Sequence, residues 1–528
     1  MPSKNKGKNK EKQNSPPTRP RHRKAADKLM MRFYEPLVLQ HVLGPTRGDR
    51  IQCEPLDSLD ESELDNGNLR RSFLNQLAYI CDFKTGGATV TAIALEQRPT
   101  GVVFWVVANE NVKEKVVKAL GEILKDLAGL DGGTTRERAA TVEERTFRQA
   151  AELGMPRLKS YRKLMQGPLE ECLKILNREP ENEQDKGELT ISLCRYLEKN
   201  NLLLPEMIAW LSSFKNHEED MLQLCKFAYA ARATPYMKKL NKRSRKGSTL
   251  TVKSNETMFL ELRHYIGRLG SHVRAARILV TAAMAFPTFF DDFEIEYLPS
   301  SKPAELPPPT DEKTTLDGVI VRMLKNQEEL LFYQDALKTM DTKFGIYKRL
   351  KNEYENPTFL PRVHAELILL EHSYKRGYDF VDNDKYIGCS KPACYCCYHY
   401  ISAHPGGFAR PASHNKTYLA WRPPDIVDDT DESEVKRHKD IINKMLEHIR
   451  RDVLEQIERQ SGRRRTHPDS TTGITPTLDF SHQASRVSFT LPFNLHEAAL
   501  SSGTYSIKSS ANCRGIVTAS LLRMANIM

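Results

Sequence analysis

The sequence predicts an α/β protein with a large helical insertion or separate helical region, and three observations carry that reading. Two β-branched, aromatic-rich runs lie close together, Thr89–Leu95 (TVTAIAL) and Val102–Ala108 (VVFWVVA). From about Val112 to Met340 the apolar residues recur at helical rather than strand spacing. A short window, Val363–Trp421, then joins a helix-like run to a box of cysteines.

Taken in chain order, residues 1–28 hold ten basic side chains against Glu11 and Asp27. This arm is rich in Asn, Ser and Pro, cannot bury a core, and is predicted to be disordered. Its charge of +8 takes most of the chain's +11 and leaves +3 for the other 500 residues. By composition alone, a body so near neutral offers no large phosphate-binding field. Three roles stay open for the arm: a signal read by an import receptor, a nonspecific nucleic-acid tether, or a solubilising tail.

A helix ending near Ile80 precedes the two strand-like runs, and the Glu96–Gly101 segment with Pro99 reads as a hairpin loop. Amphipathic stretches follow at Leu158–Leu176, Leu189–Leu203, Pro205–Ala231 and Thr257–Ala285, with the basic Lys238–Lys246 segment read as a loop. Residues 297–314 carry five prolines and read as a linker. A helix is expected over 426–460 and a largely irregular tail over 461–528.

At 528 residues, with 39% hydrophobic and 28% charged residues, the chain suits a globular protein of two to four domains. No apolar run approaches the roughly 20 residues that span a bilayer, and the N-terminus lacks the apolar core of a secretory signal. Ten cysteines are too few for a disulfide scaffold, yet four fall within Cys389–Cys397. That clustering points to metal or redox chemistry in a reducing compartment, hence to an intracellular protein of cytoplasm or nucleus without a membrane partner.

The window contains V-H-A-E-L-I-L-L-E at 363–371 and G-C-S-K-P-A-C-Y-C-C-Y-H-Y at 388–400. Zinc takes thiolates and imidazoles in a tetrahedral shell, and a catalytic site uses three protein ligands. Cys394 and Cys397, three apart, face the same way on the first turn of a helix. His364 supplies a third ligand from the start of another helix. On an interior turn His364 and Glu366 diverge by about 200°, so they serve one site only where the helix begins. Zinc makes a water acidic near neutral pH, and Glu366 can take its proton and return it to a leaving amine.

H-x-E alone is a weak signal, since His217-Glu218-Glu219 repeats it in a polar segment without a nearby cysteine. The conjunction with C-x-x-C thirty residues later is specific, and it matches the zinc-deaminase pattern H-x-E…P-C-x-x-C. One departure is that Pro392 stands one residue early, with Ala393 between. Other readings are a structural zinc shell of Cys389, Cys394, Cys397 and His399 or His404, an inactive deaminase-like module that binds a partner, or buried free thiols. Cys396 reads as a packed small hydrophobe.

HAELILLEHSY, the GCSKPACYCC box and SHNKTYLAWRPP at 413–424 together resemble the fungal and bacterial-toxin clade of the cytidine-deaminase-like superfamily. The resemblance covers roughly 355–425. It implies a three-layer α/β/α fold with a mixed sheet, a nucleotide or nucleic-acid substrate, zinc on His364, Cys394 and Cys397, and Glu366 as proton shuttle. That fold needs a helix and a hairpin before the H-x-E helix, and Phe344–Arg362, with Pro357 and Pro361, cannot supply them. A split catalytic domain is therefore expected, 66–112 plus about 345–425, interrupted by 113–343. The alternative places the hairpin in a separate N-terminal α+β domain. In the split arrangement Asn109 approaches the metal and hydrogen-bonds a substrate, or else serves as a cap. His414 and Trp421 line the other side, unless Trp421 is core packing.

Overall fold

In the computed structural model the residues described are 25–52, 64–178, 204–217, 219–243, 255–305, 308–426, 428, 430–462 and 469. Its centre is a four-stranded sheet in the order β3-β2-β1-β4, with β1 Thr91–Arg98, β2 Gly101–Ala108, β3 Phe293–Tyr297 and β4 Gly388–Cys389. β1 and β2 form an antiparallel hairpin with Ile93 opposite Val106 and Leu95 opposite Phe104. The expected loop shortens to Pro99-Thr100. Gly101 closes it at φ 140°, where a Cβ would sit 1.8 Å from the Asp292 carbonyl oxygen. Only glycine fits there.

Side-chain alternation divides the sheet between two cores. Ile93, Leu95, Val102, Phe104 and Val106 pack with α2 (Asn66–Cys81), α3 (Glu114–Leu127) and α10 (Ser271–Ala285). Ala92, Ala94, Val103, Trp105 and Val107 pack with α1 (Ala25–Leu43), α14 (Ala365–Arg376), α15 (Tyr395–Ala403) and α16 (Glu432–Glu458). Both faces of VVFWVVA are covered, and burying each large apolar side chain contributes about 1.5–3 kcal/mol. β4 joins the hairpin through Ile93–Gly388 and Ala92–Cys389 pairs. Gly388 lets that strand lie against α2, since a Cβ would meet Leu74 at 2.5 Å.

A third core lies among α4 (Arg136–Leu153), α5 (Met155–Arg178), α6 (Leu204–Asn216), α7 (Met221–Ala231), α8 (Pro235–Arg243) and α9 (Asn255–Leu269). Leu158, Met165, Leu211, Leu224 and Leu262 meet inside it. The remaining helices are α11 (Leu316–Met323), α12 (Gln327–Phe344) and α13 (Ile346–Tyr354). No described helix is long and apolar enough to cross a membrane.

Several expectations need correction. The region 113–343 is not wholly helical, because β3 lies within it and pairs in parallel with β2. Lys238–Arg243, read as loop, belongs to α8. Ala25–Lys28, read as the end of a disordered arm, form the first turn of α1. The 297–314 linker is tied down, with Leu298 N–H on the Val106 carbonyl and Ala304 N–H on the Pro361 carbonyl. Residues 1–24, the stretch Leu189–Leu203 and most of the 461–528 tail lie outside the described residues.

Candidate metal centre

His364 is the N-cap of α14, extended at φ −78° and ψ 153°, while Glu366 sits in the first helical turn. The two side chains escape the divergence of an interior turn because only one of them is helical. Asn109, just past β2, fixes this start. Its Oδ1 accepts from Ala365 N at 2.8 Å and its Nδ2 donates to the Gly87 carbonyl at 2.9 Å.

Cys394 is the N-cap of α15, and its Sγ accepts from Cys397 N at 3.4 Å. The loop before it is held by Ser390, whose Oγ donates to Asp82 Oδ2 at 3.1 Å and accepts from Thr91 N at 3.2 Å. Asp82 in turn faces Arg157 of α5 across 3.3 Å, with both side chains buried. The helical region therefore reaches the cysteine loop through two links, Arg157–Asp82 and Asp82–Ser390.

These caps converge three donors. His364 Nδ1 lies 3.7 Å from Cys394 Sγ and 3.4 Å from Cys397 Sγ, and all three atoms fall within 4.8 Å of one another. The group could hold a metal ion. Burial pushes the Cys394 thiol up, but the hydrogen bond with Cys397 and the His364 imidazole outweigh it and bring it down to about 6. Cys397 moves the other way, raised by burial, by its bond with Cys394 and by Glu366.

His364, Glu366 and Cys394 line an open cavity of 670 Å³. Glu366 is 5% exposed, and its buried Oε2 meets no hydrogen-bond partner among the described residues. Asn109, Arg362, Lys391, His414 and Asp469 form other parts of the wall. His414 Nδ1 accepts from Lys416 N at 3.3 Å, which leaves the proton of a neutral imidazole on Nε2.

Trp421 does not line this cavity. It is fully buried behind the site, where its indole N–H donates to Cys397 Sγ at 3.2 Å. The structural shell of four ligands does not form: Cys389, His399 and His404 lie outside the three-donor cluster, and His404 Nε2 faces Glu371 Oε1 at 3.2 Å. Cys396 is fully buried in the core.

Sequence reasoning overlooked Arg362, Lys391 and Asp469, and gave Cys389 a place only in the structural zinc shell, whereas it stands in the cavity wall. Lys391 and Cys389 lay inside the cysteine box, a signal that was available. Asp469 had none, sitting in a polar tail.

Two fixed helix starts thus set His364, Glu366 and Cys394 on one cavity, with Cys397 Sγ 3.4 Å from His364 Nδ1. Residues 363–425 match the family model described as OTT_1508_deam-like deaminase, consistent with a member of the cytidine-deaminase-like superfamily. The chain matches no curated protein and no solved structure.

Proposed function

We propose that the protein is a zinc-dependent hydrolytic deaminase of a nucleobase, carried by a nucleotide or nucleic acid. The observation that carries the reading is the three-donor cluster of His364, Cys394 and Cys397, two of whose members share a cavity with the unpartnered Glu366 carboxylate oxygen. Zinc suits the donor set. In a tetrahedral shell with Zn–S about 2.3 Å and Zn–N about 2.0 Å, the S···N edges are about 3.5 Å, close to the 3.4 and 3.7 Å found.

His364, Cys394 and Cys397 would hold the ion, which when bound supplies the Lewis acidity that lets water attack near neutral pH. Glu366 takes one proton of that water and delivers it to the exocyclic amine, which leaves as ammonia while the ring carbon gains oxygen. Asn109 keeps α14 in register and has one Nδ2 proton left for the substrate. His414 stands in the facing wall.

The sheet, with α2, α3 and α10 on one face and α1, α14, α15 and α16 on the other, supports a three-layer catalytic domain split by the helical region. The basic arm, of which residues 1–24 precede the described structure, adds a polyanion tether or import signal.

The test is metal analysis joined to ammonia release over a panel of nucleosides, nucleotides and oligonucleotides. One zinc per chain with release from at least one substrate, lost in Glu366→Ala, supports the reading. Zinc without release from any of them makes the domain a zinc-stabilised interaction module instead.

A further inference from the structure

Asp82 follows the last turn of α2, is fully buried, and its two carboxylate oxygens serve different parts of the metal centre. Oδ1 accepts from Thr89 Oγ1 at 2.6 Å. Thr89 belongs to the segment before β1 from which Gly86, Gly87, Ala88 and Val90 line the metal-site cavity. The Gly87 carbonyl in that segment accepts from Asn109 Nδ2, and Asn109 Oδ1 accepts from Ala365 N beside His364. Oδ2 accepts from Ser390 Oγ at 3.1 Å. Ser390 N donates to the Thr91 carbonyl at 3.0 Å, and Thr91 N donates back to Ser390 Oγ at 3.2 Å. The hydroxyl is thereby held as donor and acceptor at once, in the loop that leads into Cys394. One carboxylate stands behind both helix starts that carry the metal donors.

A carboxylate cut off from water keeps its charge only beside a cation and enough hydrogen-bond donors. Among the described residues the ion pair of Asp82 is with Arg157, in the first turn of α5, whose Nη2 lies 3.3 Å from Oδ2. Arg157 is itself 1% exposed and is wholly engaged at this corner. Its Nη1 donates to the Asp82 carbonyl and, at 3.2 Å, to the Tyr79 carbonyl, and its Nε donates to Tyr161 Oη at 2.9 Å. Neither Arg157 nor Asp82 lines the metal-site cavity. A buried ion pair adds little stability over apolar side chains of the same size. What it adds here is direction, because the two carboxylate oxygens are held at fixed angles towards Thr89 and Ser390.

We infer that Asp82 is a positioning residue of the metal centre, and that the helical region governs metal affinity by supplying Arg157 as its counter-cation. This rests on the three-donor metal site and not on deamination. Without Arg157 the buried carboxylate must take a proton or turn towards water. A protonated carboxyl has fewer lone pairs for Thr89 and Ser390, and a turned one releases both. Either change loosens the segment that holds Asn109 and the loop that leads into Cys394. The entropy of ordering them again then falls on metal binding. The helical region is thus more than a spacer, since a shift of α5 is felt at both ligand-bearing helix starts as a change in zinc affinity.

The experiment uses the full-length chain and reads zinc affinity by chelator competition, beside the absorption spectrum of the cobalt(II)-loaded protein. Ser390→Ala removes the hydroxyl between Asp82 and the cysteine loop, Asp82→Asn keeps the shape without the charge, and Arg157→Met removes the cation. Ile123→Val, fully buried in the core on the α2 face of the sheet, loses packing and touches none of these groups. The three network variants are each expected to weaken zinc about 10- to 100-fold and to shift the cobalt spectrum. Ile123→Val is expected to melt earlier and to keep its zinc affinity within about twofold of wild type. Adding Arg157→Met to Asp82→Asn should cost less than about twofold further, because both act through one pair. Where Arg157→Met does not fold, Arg157→Lys takes its place, with a smaller loss that likewise vanishes beside Asp82→Asn. Wild-type affinity in Ser390→Ala and Asp82→Asn overturns the positioning role. Fully additive losses at Arg157 and Asp82 overturn the route from the helical region. An equal loss in Ile123→Val shows that affinity merely follows stability, and overturns both. Ammonia release from a protein whose variants all hold zinc as the wild type does removes this inference and leaves the deaminase reading. The expected zinc losses in a protein that releases no ammonia remove that reading and leave this one.

Discussion

The indole N–H of Trp421 donates to Cys397 Sγ at 3.2 Å from a fully buried position. Such a bond stabilises a thiolate and fixes the sulfur's orientation toward a cation. Trp421→Phe keeps an aromatic ring in the core and removes only the donor. Its zinc affinity is expected to fall about 10- to 100-fold in a chelator competition, with the far-UV spectrum unchanged. An unaltered affinity would reduce the contact to simple packing.

The cysteines and the carboxylate separate in their effects. Cys394→Ser or Cys397→Ser should each lose the stoichiometric zinc, because a catalytic shell has no spare protein ligand. Glu366→Gln should retain it and lower turnover by about 10²–10⁴. Metal analysis beside ammonia assays decides this. Zinc loss in Glu366→Gln would place that residue in the metal shell.

Asn109 caps a helix from 256 positions away in sequence. Removing the acceptor in Asn109→Ala should cost about 0.5–2 kcal/mol in denaturant unfolding. Asn109→Asp keeps an acceptor for Ala365 N and should recover most of it. Equal losses in both variants would show that the Gly87 bond, not the cap, carries the stability.

Glu371 ties three helices together. Tyr400 donates to it at 2.7 Å, His404 lies 3.2 Å away and Arg437 donates at 3.0 Å. Burial opposes ionisation, but the hydrogen bonds from His404 and Tyr400 and the Arg437 charge bring its carboxyl down to about 2 from 4.5. With its folded value depressed, it stabilises the fold above about pH 4.5, and that contribution disappears as pH falls through about 2. Glu371→Gln should cost up to about 3 kcal/mol at neutral pH. The gap to wild type should close in acid titrations between those values; a gap independent of pH would assign the effect to packing.

Some of this was legible in the sequence and some was not, for reasons that can be named. His364, Glu366, Cys394 and Cys397 could be picked out because side-chain chemistry and spacing restrict which residues can share a metal. The hairpin could be found because VVFWVVA is apolar at every position and demands cover on both faces. β3 (FEIEY) escaped because it is short, half acidic and mostly exposed, and is held by backbone pairing at the sheet edge. Trp421 could be read as core, but the direction of one N–H needs coordinates.

The bond between Asn109 and Ala365 also sets an order of events in the cell. A chain lengthening by roughly 5–20 residues per second makes the hairpin about 10–50 s before the helix that covers one of its faces, given the 256-residue gap. Until α14 leaves the ribosome, Val103, Trp105 and Val107 have no cover from that helix. Such a contact of high sequence separation closes late and slowly. A truncation between β2 and α14 therefore leaves Val103, Trp105 and Val107 permanently without that helix.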